Sequence, residues 1–320
     1  IVTLKRNLGK DAYTLAVLEE RNLELRPAFE YFTDRINNYV ERILALENLD
    51  PFLVNIPKEF IDVPSFGALE PTLANLLGNR AASTCSNIGE QLAEAHLALG
   101  RGKGVSFSPE RFSLHYQNSL YSSIRGLVRR ICNTLERKKD KQGYRELMPL
   151  LLLKEDINTA LQRITEKKLE AQKTRIHGNL DLHHLLISNN AVRVVDFGGD
   201  PLKHLSRRRL KRSPLLDVAS YIVSIHQITS QCFSANPLLN ADKLRSMKPF
   251  ASMWALYMSG FFLNSYLDAM QDSTLIPSDQ EQVEIMLETY IIEKSFSNIS
   301  ESFENNSHHA DGIVELVSWM

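Results

Sequence analysis

The sequence predicts a mainly α protein of the α+β class: a helical bundle that carries one short β-hairpin. Three observations predict it. Apolar residues recur at helical spacing through most of the 320 residues. Residues 185–195 break that rhythm, with Leu185-Leu186-Ile187 and Val192, Val194 and Val195 flanking Asn189-Asn190, the pattern of two strands about a tight turn. The composition, 43% hydrophobic and 23% charged, is that of an ordinary globular chain. Its length suits one large domain or two small ones and allows a substantial core.

Taken in order, Ile1-Val2-Thr3-Leu4 reads as a strand already under way, and the chain does not begin with Met. It is therefore expected to be a piece of something longer. Residues 11–20 are a short helix candidate with Asp11 as its cap. Residues 27–46 place Phe29, Phe32, Ile36, Val40 and Ile43 on one apolar stripe. Residues 50–71 contain four prolines and read as a loop. Residues 83–99 are helical, with Ile88, Leu92, Ala95 and Leu99 on one face, and 100–108 form a turn region. Residues 109–135 predict a long, bent helix, and 145–172 one or two more with charged outer positions. After the hairpin, helices are expected at 215–227, 244–270 and 280–303, and no internal repeat is visible.

Charge and cysteine usage exclude several function classes. The 37 basic and 38 acidic residues nearly cancel, and no polybasic arm suggests a nucleic-acid partner. The apolar run 147–153 is interrupted by Pro149 and falls far short of the ~20 residues that span a bilayer. No signal peptide opens the sequence. Cys85, Cys132 and Cys232 form neither a metal-binding spacing nor a disulfide framework, so a cytoplasmic location is expected. The basic run 203–212 is either a phosphate-facing patch or a solvated loop, and charge runs usually stay hydrated. His183-His184 lacks the further ligands a zinc site needs, and His308-His309 reads as part of a polar tail.

The chemistry concentrates in "RIHGNLDLHHLLISNNAVRVVDFGGDP", residues 175–201. Phosphoryl transfer from ATP needs an oriented acceptor hydroxyl and Mg²⁺ held by oxygen ligands near the phosphates. Protein kinases and their small-molecule relatives supply these from two loops flanking a hairpin. The first loop carries a histidine, a base two residues on and an amide five residues after that. The second presents a metal-binding aspartate as the hairpin ends. Here His177, Asn179 and His184 occupy the first set of positions, and Asp196-Phe197-Gly198 stands at the hairpin exit. The bland alternative is an ordinary hairpin with a capping aspartate.

Motifs outside that stretch extend the pattern. His177-Gly178-Asn179-Leu180-Asp181-Leu182-His183-His184, Asp196-Phe197-Gly198-Gly199-Asp200-Pro201, Arg207-Arg208-Arg209-Leu210-Lys211 and Ser213-Pro214-Leu215-Leu216-Asp217-Val218-Ala219 follow one another as in the maltokinases. Those are aminoglycoside-phosphotransferase-like enzymes that make maltose 1-phosphate from ATP and are often fused to trehalose synthase. The chain resembles them also at 7–13, at 89–99 with Ala93-Glu94-Ala95-His96, at 106–125 and at 287–306 with Glu293-Lys294. The resemblance implies a protein-kinase-like C-terminal lobe over residues 11–320, entered through a hinge at 1–10, with the N-terminal lobe missing. It implies ATP and Mg²⁺ as cofactors, a small-molecule sugar as substrate and a trehalose synthase-like enzyme as fused or separate partner. Asp196 and His184 would stand at the metal positions, Val2 and Leu4 beside the nucleotide, and Asp200 beside the substrate. His177 and Asp217 would brace the first loop, Asp217 from the start of a helix by accepting backbone N–H bonds.

The chain departs from that family where chemistry happens. Asn179 replaces the base aspartate, and a carboxamide can orient a hydroxyl but not take its proton. His184 replaces an amide ligand, although magnesium prefers hard oxygen. Gly198 replaces a glutamate. Asp181 is the remaining carboxylate of the loop, and it would have to be redirected to serve as base. Two expectations follow: a sugar phosphotransferase impaired by Asn179 and His184, or a pseudokinase module kept for binding or regulation.

Overall fold

The computed structural model describes residues 2–5, 12–16, 25–53, 56–57, 60–139, 141–188, 191–200, 203–305 and 312–318. The chain opens with an antiparallel pair, β1 (Val2–Lys5) and β2 (Ala12–Ala16). This corrects the helix expected from residue 11. Strand pairing with β1 outweighs any local helical tendency of Ala12-Tyr13-Thr14-Leu15-Ala16. The other positions of that expected helix, and Asp11 as its cap, lie outside the described residues, as does most of the hinge assigned to 1–10.

The helical body begins with β3 (Arg26–Pro27) and α1 (Ala28–Leu44). The α1 stripe read from the sequence is buried: Phe32, Ile36, Tyr39, Val40 and Ile43 face the core. Among its described residues, the Pro-rich segment that follows holds one turn of helix, α2 (Asp50–Leu53), and a 3₁₀ turn at Phe66–Ala68. Asn264 donates to the Val63 carbonyl at 2.7 Å and ties this segment to the body. Next come α3 (Pro71–Leu77) and α4 (Asn79–Gly100).

The region predicted as one bent helix from residue 109 divides in two. Glu110–Arg111 forms β4, and α5 (Leu114–Lys138) starts only at a Ser113 cap, whose hydroxyl accepts from the Tyr116 N–H. A 3₁₀ segment (Gln142–Leu147), α6 (Pro149–Leu152) and α7 (Lys154–Glu166) follow. β5 (Gln172–Lys173) then pairs with β4. Buried Gln117 fastens α5 to the end of α7, donating to the Ile164 and Lys167 carbonyls at 2.6 and 2.8 Å.

The hairpin is where the sequence placed it. β6 (Leu185–Ile187) pairs with β7 (Val192–Val194), and β3 extends β6 on its other edge. Its Asn189-Asn190 turn lies outside the described residues. The basic run is not wholly loop, since Leu205–Arg208 makes one helical turn, α8, which the solvated-loop expectation missed.

The remaining helices are α9 (Leu215–Ala235), α10 (Ala241–Ala269), α11 (Gln280–Asn305) and α12 (Ile313–Ser318). α9 and the middle of α10 are buried on nearly every side, as expected for helices apolar all round. They form the axis of the body: α4, α9 and α10 pack together, α11 lies on α9, and α1 closes the other flank. Gly89 permits the α4–α10 approach, because a Cβ there would meet the Phe262 carbonyl oxygen at 2.3 Å. Cys85, Cys132 and Cys232 are buried free thiols. Among the described residues, no helix is long and apolar enough to cross a membrane.

Candidate active site

Residues 175–200 wrap the base of the hairpin, and two remote elements fix their entry. Thr174 and Arg212 exchange backbone hydrogen bonds of 2.9 and 3.0 Å. Arg212 then grips Glu293 of α11 through both carboxylate oxygens, at 2.8 and 2.6 Å. The strand running into the loop is thus tied to α11 as well as to the start of α9.

Below the loop stands Asp217, in the first turn of α9 and fully buried. Its carboxylate accepts the N–H groups of His177 and Gly178 at 2.8 and 2.9 Å and a bond from His96 Nε2 at 3.1 Å. Burial by itself would raise its pKa. The hydrogen bonds from His96 and from the loop backbone outweigh burial and hold the carboxyl below its usual range. His96 Nδ1 in turn meets the Tyr266 hydroxyl at 2.9 Å, so the support runs from α9 through α4 to α10. His96 had no assigned role in the sequence reading. Its only signal was the Ala93-Glu94-Ala95-His96 motif, which does not say what the imidazole touches.

His177 joins the two loops. Its Nδ1 accepts from the Asn179 N–H at 3.3 Å, and its Nε2 lies 2.7 Å from the Val195 carbonyl oxygen. An acceptor at Nδ1 and a carbonyl at Nε2 require a neutral ring carrying its proton on Nε2. Burial also lowers its pKa, which favours that neutral form. Val195 immediately precedes Asp196, so one imidazole sets the position of both the Asn179 backbone and the Asp196 backbone. Gly178, at φ 75°, supplies the left-handed turn between His177 and Asn179.

At the rim, Asp181 caps the 3₁₀ turn Leu182–His184, accepting from the His183 and His184 N–H groups. The same oxygen lies 2.6 Å from His184 Nδ1. Burial opposes ionisation of Asp181, but the His184 contact prevails and lowers its pKa. The matching hydrogen bond raises that of His184, where nearby Asp196 adds to the effect. The His177 ring sits edge-on to both His184 and Phe197, each with centroids 5.1 Å away. His183 turns aside and stacks on Phe29 at 4.7 Å.

Asp196 is exposed and has φ 64°, a left-handed conformation rare for a residue with a side chain. Neither its carboxylate nor the Asn179 carboxamide takes a hydrogen bond among the described residues. Asp200 is paired with Lys203 at 3.2 Å. Arg208 covers the back of the loop and donates to the Gly198 carbonyl at 3.3 Å. Val2 and Leu4, expected beside the nucleotide, lie on β1, and their side chains are outside the described residues.

Among the described residues no group of three or more His, Cys, Asp or Glu side chains forms a cage for a metal ion. Magnesium in nucleotide enzymes is commonly held by one or two carboxylates plus substrate phosphates. Asp196 fits that role as a single ligand. His184 fits it poorly, because it offers an imidazole nitrogen where magnesium prefers hard oxygen.

No protein-family model and no curated protein matches this chain. Solved structures do. Glucosamine kinase, in one crystal form and in its complex with glucosamine, ADP and inorganic phosphate, matches with TM-scores of 0.62 at 13% sequence identity. Both matches cover 92% of this chain but only 58% and 57% of the glucosamine kinase chain. The chain therefore shares the fold of a sugar kinase and spans well under two thirds of that protein's length. These matches do not single out the maltokinases.

Proposed function

We propose that the chain is the acceptor-side part of a maltokinase-like, ATP-dependent sugar phosphotransferase with weakened chemistry. The observation that carries this reading is the His177 bridge. One neutral imidazole, on a residue whose backbone N–H Asp217 holds from below, ties the Asn179 position to the Asp196 position on a sugar-kinase fold. The glucosamine kinase complex with glucosamine, ADP and inorganic phosphate supports the substrate class, a sugar with a nucleotide.

In this reading Asp196 presents a free carboxylate to the metal that accompanies ATP. Magnesium bound there would neutralise charge on the transferred phosphoryl group. Asn179 orients the acceptor hydroxyl through its carboxamide. The missing base lowers the rate without abolishing it, because a loose phosphoryl transition state depends more on positioning and charge than on proton removal. A trehalose synthase-like enzyme, fused or separate, is the partner that the maltokinase resemblance suggests.

One observation favours the rival pseudokinase reading. Asp181 is held by His184 at 2.6 Å and by two backbone N–H groups, so it does not stand ready to replace the lost base, and His184 offers magnesium a nitrogen where the amide offered oxygen. The test is an ATP-dependent phosphorylation assay on the full-length protein, with maltose and glucosamine as acceptors and Asp196→Ala as control. Turnover that disappears in Asp196→Ala supports the phosphotransferase. Sugar or partner binding without turnover in any variant carrying Asp196 leaves the pseudokinase.

A further inference from the structure

Away from residues 175–200, a cavity of about 50 Å³ opens between α9, α10 and the start of α12. One water needs roughly 10–15 Å³ of such space, so a small molecule or a few waters can enter. On α9 it is lined by His226, Thr229, Ser230 and Phe233. That spacing, i, i+3, i+4 and i+7, is one face of a helix, so the His226 side chain leaves α9 on the cavity side. Leu244, Ala251 and Ala255 line it from α10. Gly312 seats the start of α12 against α9: its φ is 75°, and a Cβ there would meet the His226 carbonyl oxygen at 2.4 Å. His226 is 4% exposed, and its Nε2 finds no hydrogen-bond partner among the described residues. The Phe60 ring stands edge-on to the imidazole, with centroids 5.9 Å apart, and gives it apolar cover. Burial pushes the His226 pKa down to about 3, so the ring is neutral. Lys248 and Glu315 also border the cavity, and they pair with each other at 3.2 Å.

A buried polar atom without a partner costs free energy, and a ligand that bonds to it removes that cost. Three features select the ligand. A neutral imidazole and a self-paired Lys248 and Glu315 leave no charge to balance, so the ligand is uncharged. A hydroxyl both donates and accepts, so it serves Nε2 in either tautomer of the ring. The Phe233, Leu244, Ala251 and Ala255 side chains suit an apolar body. We propose that this cavity is a binding site for a small uncharged alcohol or phenol, whose hydroxyl hydrogen-bonds to His226 Nε2. The site goes beyond the phosphotransferase reading, since none of its lining residues belongs to the two loops. His226 lies nine residues beyond Asp217 on α9, roughly 14 Å along the helix axis.

The test titrates phenol into the full chain and follows saturation-transfer NMR, with toluene as the probe of the same shape that lacks the hydroxyl. His226→Leu removes Nε2, His226→Gln keeps a polar group at similar reach, and Ala251→Phe fills the cavity. Circular dichroism melts establish which variants are folded. Wild type should bind phenol more tightly than toluene. His226→Leu should weaken phenol at least about tenfold and toluene little, His226→Gln should keep most of the phenol affinity, and Ala251→Phe should lose both probes. Wild type that binds no phenol, with water as the sole occupant, overturns the site. Equal affinity of wild type for phenol and toluene, or unchanged phenol affinity in a folded His226→Leu, overturns the role of His226. Should His226→Leu not fold, Ala251→Phe decides: phenol binding that survives a filled cavity overturns the site, and its loss supports it.

Discussion

The support beneath the first loop and the rim above it are built differently. Below, Asp217 has three bonded partners, His96 continues to Tyr266, and His177 spends both ring nitrogens on the two loops. Above, the Asn179 carboxamide and the Asp196 carboxylate stand open, while Asp181 and His184 are turned towards each other. A buried polar network tolerates little change, because each lost partner strands another group away from water. A rim open to solvent carries no such penalty. Substitutions at the rim therefore cost activity, whereas substitutions in the support cost the fold.

The sharpest way to break this contrast is Asp217→Ala. It strands His96 and two backbone N–H groups, and it should cost on the order of 3–5 kcal/mol in denaturant unfolding. A loss below about 1 kcal/mol would mean the support is not what holds the loop.

Next in size is Asn179→Asp, which restores a base at the rim. Turnover of the accepted sugar should rise by roughly 10²-fold or more, the usual contribution of general base catalysis, with little change in melting temperature. No gain would show that the base position is not the bottleneck.

Asp196→Gly separates the two regions within one residue. Glycine relieves the φ 64° conformation, so stability should rise by about 0.5–1 kcal/mol while metal-dependent turnover falls away. A variant that is both destabilised and active would contradict the role given to Asp196.

The smallest effect is a pH dependence from the Asp181–His184 pair. Asp181 has a folded pKa below its ordinary 3.8, so its contribution is present above that value and fades as pH falls through the lowered pKa. His184 has a folded pKa above its ordinary 6.5, so its contribution is complete below 6.5 and fades as pH rises through the raised pKa. The pair thus contributes most between about pH 4 and pH 6.5, and only modestly because both groups are partly exposed. Urea midpoints across pH should lose this component in His184→Asn.

Much of the architecture was legible in the chain, for a physical reason. α1, α4, α9, α10 and α11 are long and bury an apolar face or their whole surface, and that burial requirement writes a period into the sequence. The hairpin was legible because its turn and alternation lie within about ten residues. β4 and β5 were not, since two-residue strands paired across some sixty positions leave no local pattern. β2 was misread for a different reason: its partner is close in the chain, but it is the pairing with β1 that decides its conformation.

The sequence by itself determined which side chains occupy the two loops and where they depart from the motif pattern the chain resembles, because loop chemistry is a matter of residue identity at fixed spacing. Only the tertiary structure decided how those side chains are used. It turned Asp181 towards His184 and set His96 under Asp217 from a helix 121 residues away. Hydrogen bonds and charge reach across space rather than along the chain, and folding chooses which partner each polar group finds.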